Sequence, residues 1–128
     1  MKKYLFIITI GLLVFTGCKK DRKSIIMHNY AQKMNKSCPM RMDSLVVIDS
    51  TKFIDESNTM NYYYSVSGSL DNKKFLEENH TLIEDNLKSA LDNSVEMEKY
   101  RKYNVTLSYR YYSESTDSLL AVFNFPLK

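Results

Sequence analysis

Glycine, histidine and cysteine are scarce in this 128-residue chain, and tryptophan is absent. Two of the three glycines, Gly11 and Gly17, lie in the first 17 residues, so no glycine-rich loop that cradles phosphate is possible. His28 and His80 have too few ligand-type neighbours at suitable spacing to complete a zinc shell. No serine lies in a nucleophile-elbow context. We therefore expect no catalytic residue, no metal site and no cofactor, and we do not expect an enzyme.

Excess positive charge is confined to the N-terminal stretch. The whole chain carries 18 basic and 15 acidic residues, a formal net charge of +3. From Ser24 onward, twelve basic residues face fourteen acidic ones. A nearly neutral folded part argues against nucleic acid as a partner. The basic cluster Lys19, Lys20, Arg22 and Lys23 suits an anionic membrane surface instead.

The first 17 residues have the pattern of an export signal. Lys2 and Lys3 precede an apolar run of 12 residues, Tyr4 to Phe15, which is too short to span a bilayer comfortably. Small residues then lead to Cys18, and residues 14–18 resemble the lipobox of bacterial lipoproteins. A plain cleaved signal and an N-terminal membrane anchor are the alternatives.

The lipobox resemblance implies what happens to Cys18. In that family a signal peptidase cuts before the cysteine, a diacylglycerol is joined to its sulfur, and its amine is acylated. Two or three acyl chains hold a protein on the membrane durably, because each buried methylene contributes about 0.8 kcal/mol. In some bacterial groups, acidic residues directly after the cysteine mark a lipoprotein for export to the cell surface or for retention at the inner membrane. In this chain those positions hold Lys19 and Lys20 instead. The resemblance therefore implies an outer-membrane anchor on the periplasmic face, with residues 18–24 as a lipidated tether.

Residues 25–128 predict a single α+β domain. Helical spacing predicts a short helix from Ile25 to Lys36, with Ser24 as its N-cap, and a long helix from Lys73 to Leu91. Alternating or β-branched residues predict four strands, at 45–54, 60–67, 105–111 and 119–125. The order helix, hairpin, long helix, hairpin predicts a two-layer sandwich with a four-stranded antiparallel sheet.

Cys38 is the other cysteine of the chain. If Cys18 is alkylated, no intramolecular disulfide is available, although the periplasm is oxidising. We interpret Cys38 as a buried structural thiol. An intermolecular disulfide, or a cysteine left over from a former disulfide pair, is the alternative.

Tyrosine is the abundant aromatic residue, with ten in the chain. Alternation along the strands predicts that four of them face the core: Tyr62, Tyr64, Tyr109 and Tyr111. Tyr63, Arg110 and Tyr112 then point to the opposite face. Exposed tyrosines on a sheet favour recognition of a protein or a glycan, although they can also simply cover an open face. These three residues are the candidate binding residues.

Short motifs between about residues 35 and 125 resemble those of a group of small bacterial proteins, many of them lipoproteins. The motifs are Cys38-Pro39-Met40, Asp43, Asp49-Ser50, Tyr62-Tyr63-Tyr64, Asn86-Leu87 and Tyr109-Arg110-Tyr111-Tyr112. Several members carry a second cysteine near the C-terminus that could pair with the Cys-Pro cysteine, whereas this chain has none there. The group implies no activity.

These observations together predict a membrane-anchored periplasmic lipoprotein that does not catalyse a reaction. Its expected partners are membrane lipid, through acylated Cys18, and a protein bound by the sheet face or by an edge strand. An immunity or inhibitor protein that blocks an enzyme's cleft is the alternative. Such an inhibitor should present a mobile loop or a dense charged patch, and the sequence shows neither clearly.

Overall fold

A computed structural model describes residues 21–128 of the chain. The predicted signal sequence and Cys18 lie outside the described residues. The helices are α1 (Arg22–Asn35), α2 (Lys73–Glu78), α3 (His80–Asp92) and α4 (Glu98–Arg101). The strands are β1 (Met40–Arg41), β2 (Val46–Ile54), β3 (Thr59–Val66), β4 (Thr106–Ser113) and β5 (Leu119–Pro126).

The fold is α+β, but the sheet has five strands in the order β1-β2-β3-β4-β5 and is mixed. The prediction of four antiparallel strands is wrong in two respects. Strand β1 has two residues, which is too short to leave a pattern in the sequence. Strands β3 and β4 are parallel, because the helical connection between them carries the chain back along the sheet. The 13 residues of α3 alone rise about 20 Å, close to the length of a strand.

The helices differ from the predicted ones in where they begin and in a break inside the long helix. The segment from Lys73 to Leu91 is divided at Asn79, whose side-chain amide donates to the Phe75 carbonyl at 2.8 Å and whose φ of −106° and ψ of 11° leave the helical region. Helix α1 begins at Arg22, with Asp21 at the N-cap position. Ser24 is therefore a buried helical residue and not the N-cap, and residues 22–24 are helical where the sequence predicted tether.

One face of the sheet packs against the helices and forms the core. All four tyrosines predicted to face the core are buried, with exposed fractions between 6% and 9%. The Tyr109 ring lies edge-on to the rings of Tyr62 and Tyr64, at 5.2 and 5.4 Å between centroids. The hydroxyl groups of Tyr62 and Tyr100 are hydrogen bonded at 2.9 Å, which ties α4 to the centre of the sheet.

Helix α1 runs antiparallel to β2. Near the end of the helix, the Thr51 hydroxyl donates to the Ala31 carbonyl. Nearer its start, His28 Nε2 lies 2.8 Å from Asp55 Oδ2 in the β2–β3 turn. The start of α1 therefore lies at the end of the sheet that holds the β2–β3 turn. The Thr106 amide at the start of β4 donates to a carbonyl of the same turn.

Candidate functional site

Tyr63, Arg110 and Tyr112 lie together on the face of the sheet opposite the core, and we call them the open-face patch. Strands β3 and β4 are neighbours, and Tyr63 lies directly across from Arg110 in their register. The rings of Tyr63 and Tyr112 are tilted by 41°, with centroids 6.2 Å apart. All three residues are half-buried. The structure thus brings the three candidate binding residues together, while their role in binding stays a prediction.

Arg110 is the charged residue of the open-face patch. Within residues 21–128, its guanidinium forms no hydrogen bond and no ion pair. The side chains around it are engaged: Asn61 Nδ2 donates to Tyr63 Oη at 3.2 Å, and Ser65 Oγ donates to Asp49 Oδ2. A guanidinium carries five donors in a planar fork. The patch therefore presents a cation ready to donate, with an aromatic ring on either strand.

The two edges of the sheet are partly covered by side chains. Strand β1 pairs only with Val47 and Ile48, so the rest of β2 forms this edge of the sheet. There the Asn35 side chain pairs with the Thr51 backbone, accepting from its amide at 2.7 Å and donating to its carbonyl at 2.9 Å. At the β5 edge, His80 Nε2 lies 3.2 Å from the Val122 carbonyl. Since strand addition needs free backbone groups at an edge, the face of the sheet is the better candidate for contact.

The two histidines connect helices to the sheet. The His28 ring pairs with Asp55 and lies edge-on to Phe53, at 5.4 Å between centroids. The His80 ring stacks on Phe123 at 4.5 Å, and its Nδ1 lies 3.3 Å from Glu84 Oε2. In residues 21–128, no group of three or more histidine, cysteine or carboxylate side chains could hold a metal ion. Both histidines therefore have a structural explanation.

Cys38 is a free, half-buried cysteine packed against the edge of the core. Burial, with a smaller contribution from the Asp49 carboxylate, raises the pKa of its thiol. Since the thiolate is the reactive form of cysteine, the local environment disfavours reaction. Cys38 is less buried than the interpretation as a buried structural thiol requires.

A groove of about 260 Å³ between α1 and α4 was not predicted from the sequence. Its lining residues are Tyr30, Lys33, Met34, Ser37, Lys99 and Tyr100. Lys99 Nζ lies 4.4 Å from the centre of the Tyr30 ring and 5.1 Å from that of Tyr100. Burial raises the pKa of Tyr100, the hydrogen bond with Tyr62 lowers it in part, and Tyr30 and the Glu96 carboxylate add smaller rises. No signal in the sequence joins these segments, because the groove exists only once α1 and α4 pack side by side.

A second cleft, of about 250 Å³, lies between α3 and the end of β5. It is lined by charges of both signs, and several of them are already paired. Lys88 Nζ contacts Asp92 Oδ2 at 2.7 Å, and the Arg101 guanidinium donates to the Leu91 carbonyl at 2.7 Å. Arg101 thus serves the C-terminal end of α3, where backbone carbonyls lack helical partners.

In residues 21–128, no helix is both long enough and apolar enough to cross a membrane. A family model described as "Domain of unknown function (DUF8479)" matches residues 21–121. No curated protein matches the chain. Among solved structures, the fold is similar to that of a "putative secreted protein" from Pseudomonas aeruginosa, with a TM-score of 0.66. The two sequences are 14% identical, and the match covers 83% of this chain and 94% of the other. At this identity the similarity shows the fold alone.

Proposed function

The chain belongs to the DUF8479 family, whose function is unknown, and we propose that it is a lipid-anchored protein of the cell envelope. In this proposal it sits on the periplasmic face of the outer membrane and binds a protein partner through the open-face patch. It is a binding protein and not an enzyme.

The lipid anchor is supported by the signal-like pattern of residues 1–18. The description of the similar Pseudomonas aeruginosa protein agrees with export. Helix α1 begins only four residues after Cys18, so the anchor would hold the end of the sheet that contains the β2–β3 turn. Tyr112 lies six residues along β4 from Thr106, about 20 Å from that end of the sheet. A partner could therefore reach the open-face patch beside an anchored protein.

The observation that carries the binding proposal is Arg110, which forms no hydrogen bond and no ion pair within residues 21–128 and lies on the same face as the paired rings of Tyr63 and Tyr112. Tyrosine and arginine are enriched among the residues that dominate binding energy at protein interfaces. Covering Arg110 without supplying an acceptor would be costly, because a buried charge needs a hydrogen-bonded partner. We therefore expect the partner to present a carboxylate to Arg110 and apolar or aromatic groups to Tyr63 and Tyr112.

The anchor is tested by changing Cys18→Ser in the full chain and separating membranes from soluble protein. The variant should be lost from the membrane pellet after a carbonate wash, because no acyl chain can be attached at residue 18. Cys38→Ser is the matched control and should stay in the pellet. If the Cys18→Ser protein stays in the pellet, the lipoprotein proposal is wrong.

The patch is tested by capturing partners from cross-linked envelopes with the full chain carrying Tyr63→Ala and Tyr112→Ala. This variant should lose partners that the unchanged protein captures. A control pair on the same face, Lys52→Ala with Asn124→Ala, should keep them. Arg110→Lys should weaken capture, because an ammonium group cannot form the two-pronged contact of a guanidinium.

Each result of the capture experiment has a definite meaning. If the tyrosine double variant captures the same partners as the unchanged protein, the patch is not the binding surface. If the variant loses its partners but also unfolds, its melting curve assigns the two tyrosines to packing. Loss of partners with a melting temperature within a few degrees of the original supports the proposal.

A further inference from the structure

The groove between α1 and α4 is lined by lysine ammonium groups and hydroxyl groups and by no carboxylate. Besides Tyr100, whose hydroxyl group is bonded to Tyr62, four of its lining side chains can donate hydrogen bonds: Tyr30, Lys33, Ser37 and Lys99. None of its lining residues is a carboxylate. Among the described residues, the two lysines form no ion pair, and the Tyr30 and Ser37 hydroxyl groups form no hydrogen bond. The groove therefore concentrates positive charge and uncommitted donors in one place.

The Lys99 side chain is held in position without being neutralised. Its ammonium group lies over the faces of Tyr30 and Tyr100, whose rings are edge-on at 6.3 Å between centroids. Aromatic faces attract a cation through their quadrupole and leave its charge in place. The hydroxyl of Tyr100 is itself bonded to Tyr62, so the ring that holds Lys99 is fixed to the core of the sheet.

We propose that this groove binds a phosphate group. Lysine binds phosphate as a point charge, whereas arginine is the usual choice where a carboxylate or a phosphate is recognised by a planar, two-pronged contact. The hydroxyl groups of Tyr30 and Ser37 supply further donors for a group with several oxygens. A volume of about 260 Å³ is below the usual range for drug-sized ligands, which suits a phosphate with a small substituent.

The proposal is independent of the protein-binding proposal, since the groove lies on the helical side of the sheet and the open-face patch on the other. Two sources could supply the phosphate: inorganic phosphate, or the headgroup of a phospholipid. Lys33 lies eleven residues after the start of α1, about 16 Å along the helix axis. A headgroup would thus have to reach the side of the protein and not only its anchored end.

The test follows the backbone amide signals of the full chain by nuclear magnetic resonance, in micelles of an uncharged detergent. Inorganic phosphate is titrated at constant ionic strength. We expect saturable shifts at Tyr30, Ser37 and Lys99. Lys33→Gln with Lys99→Gln should weaken binding at least tenfold, whereas Lys99→Arg should retain most of it because the cation remains over the two rings.

The control removes the same charge elsewhere, with Lys52→Gln and Lys73→Gln, and should bind as the unchanged protein does. If the control weakens binding equally, the effect is general charge attraction and the proposal is wrong. A second arm replaces inorganic phosphate with phosphatidylglycerol in the micelles. Saturation in the first arm identifies free phosphate as a ligand, and saturation in the second arm alone identifies the headgroup. No saturable shift in either arm overturns the proposal, provided the amide spectrum shows a folded chain.

Discussion

Tyr62 and Tyr63 are adjacent in the chain, yet they belong to two different surfaces of the same strand. Tyr62 is 6% exposed, contacts other rings and shares a hydrogen bond with Tyr100. Tyr63 is half-buried, and within residues 21–128 its ring pairs with that of Tyr112 alone, at 6.2 Å between centroids. The two residues are of the same type and are neighbours along the same strand. The difference shows that the face of the sheet decides whether a tyrosine here stabilises the fold or is available for contact.

The two faces also differ in how their polar groups are satisfied. On the core side, burial raises the pKa of Tyr62, Tyr64 and Tyr109 far above the ordinary tyrosine value, and raises the pKa of Tyr111 to about 12. On the open side, the Arg110 guanidinium forms no hydrogen bond and no ion pair within residues 21–128. The core thus excludes charge, whereas the open face presents it.

The largest expected effect comes from Tyr62→Ala. Removing this ring leaves a cavity among Tyr64, Tyr100 and Tyr109 and breaks the hydrogen bond to Tyr100. Replacing a large buried aromatic residue with alanine typically costs about 3–5 kcal/mol of unfolding free energy. Urea unfolding of the variant and the unchanged chain measures the difference. A loss below about 1 kcal/mol would contradict the distinction between the two faces.

Alkaline pH should destabilise the protein through the core tyrosines. An unfolded tyrosine ionises near pH 10, whereas folded Tyr111 keeps its proton until about pH 12. The stabilisation is therefore complete below pH 10 and is lost as the pH rises toward 12, at about 1.4 kcal/mol per pH unit for each such tyrosine. Urea unfolding across this range measures the loss. Tyr111→Phe cannot ionise, so its slope should be shallower; an equal slope would contradict the prediction.

A smaller effect is expected from changing both open-face tyrosines. Tyr63→Ala with Tyr112→Ala removes two half-buried rings without opening the core. We expect a loss of about 1–2 kcal/mol, smaller than that of Tyr62→Ala alone and equivalent to a few degrees of melting temperature. Calorimetry gives the comparison. A fall as large as that of the single core variant would show that something packs on this face.

The smallest expected effect on the free energy of unfolding comes from removing the hydroxyl group of a core tyrosine, and it should differ between Tyr62 and Tyr64. Tyr62→Phe removes the hydrogen bond to Tyr100 and should cost about 1 kcal/mol. Tyr64→Phe removes a hydroxyl group that forms no hydrogen bond within residues 21–128, so the free energy of unfolding should hardly change. Matched urea unfolding curves provide the measurement. Equal losses would mean that the Tyr62–Tyr100 contact contributes little.

The sequence predicted those parts of the fold that follow from a local period. Alternation placed Tyr62 and Tyr64 in the core, and the helical period located α1 closely. The direction of the pairing between β3 and β4 could not be predicted, because alternation is the same in parallel and antiparallel strands. The break at Asn79 depends on one side-chain hydrogen bond, which competes with the helix without disturbing its apolar period.

The open-face patch could be predicted because its three residues share one parity on two strands. Their proximity depended on those strands being neighbours, as the structure shows. The groove at Lys33 and Lys99 could not be predicted, since its two sides come from helices that are far apart in sequence. Neither lysine is distinguishable in the sequence from other surface lysines; only the rings around Lys99 set it apart.

The parallel pairing of β3 with β4 also bears on how fast the chain folds. Thr59 pairs with Thr106 and Val66 with Ser113, so this contact closes a long loop, whereas β2–β3 and β4–β5 are joined by short turns. Loop-closure entropy must be overcome before distant contacts become favourable, which slows chains rich in such contacts. The two hairpins can therefore form early and independently. Their docking along the central pair is expected to be the slow step, with a transition state that already contains both.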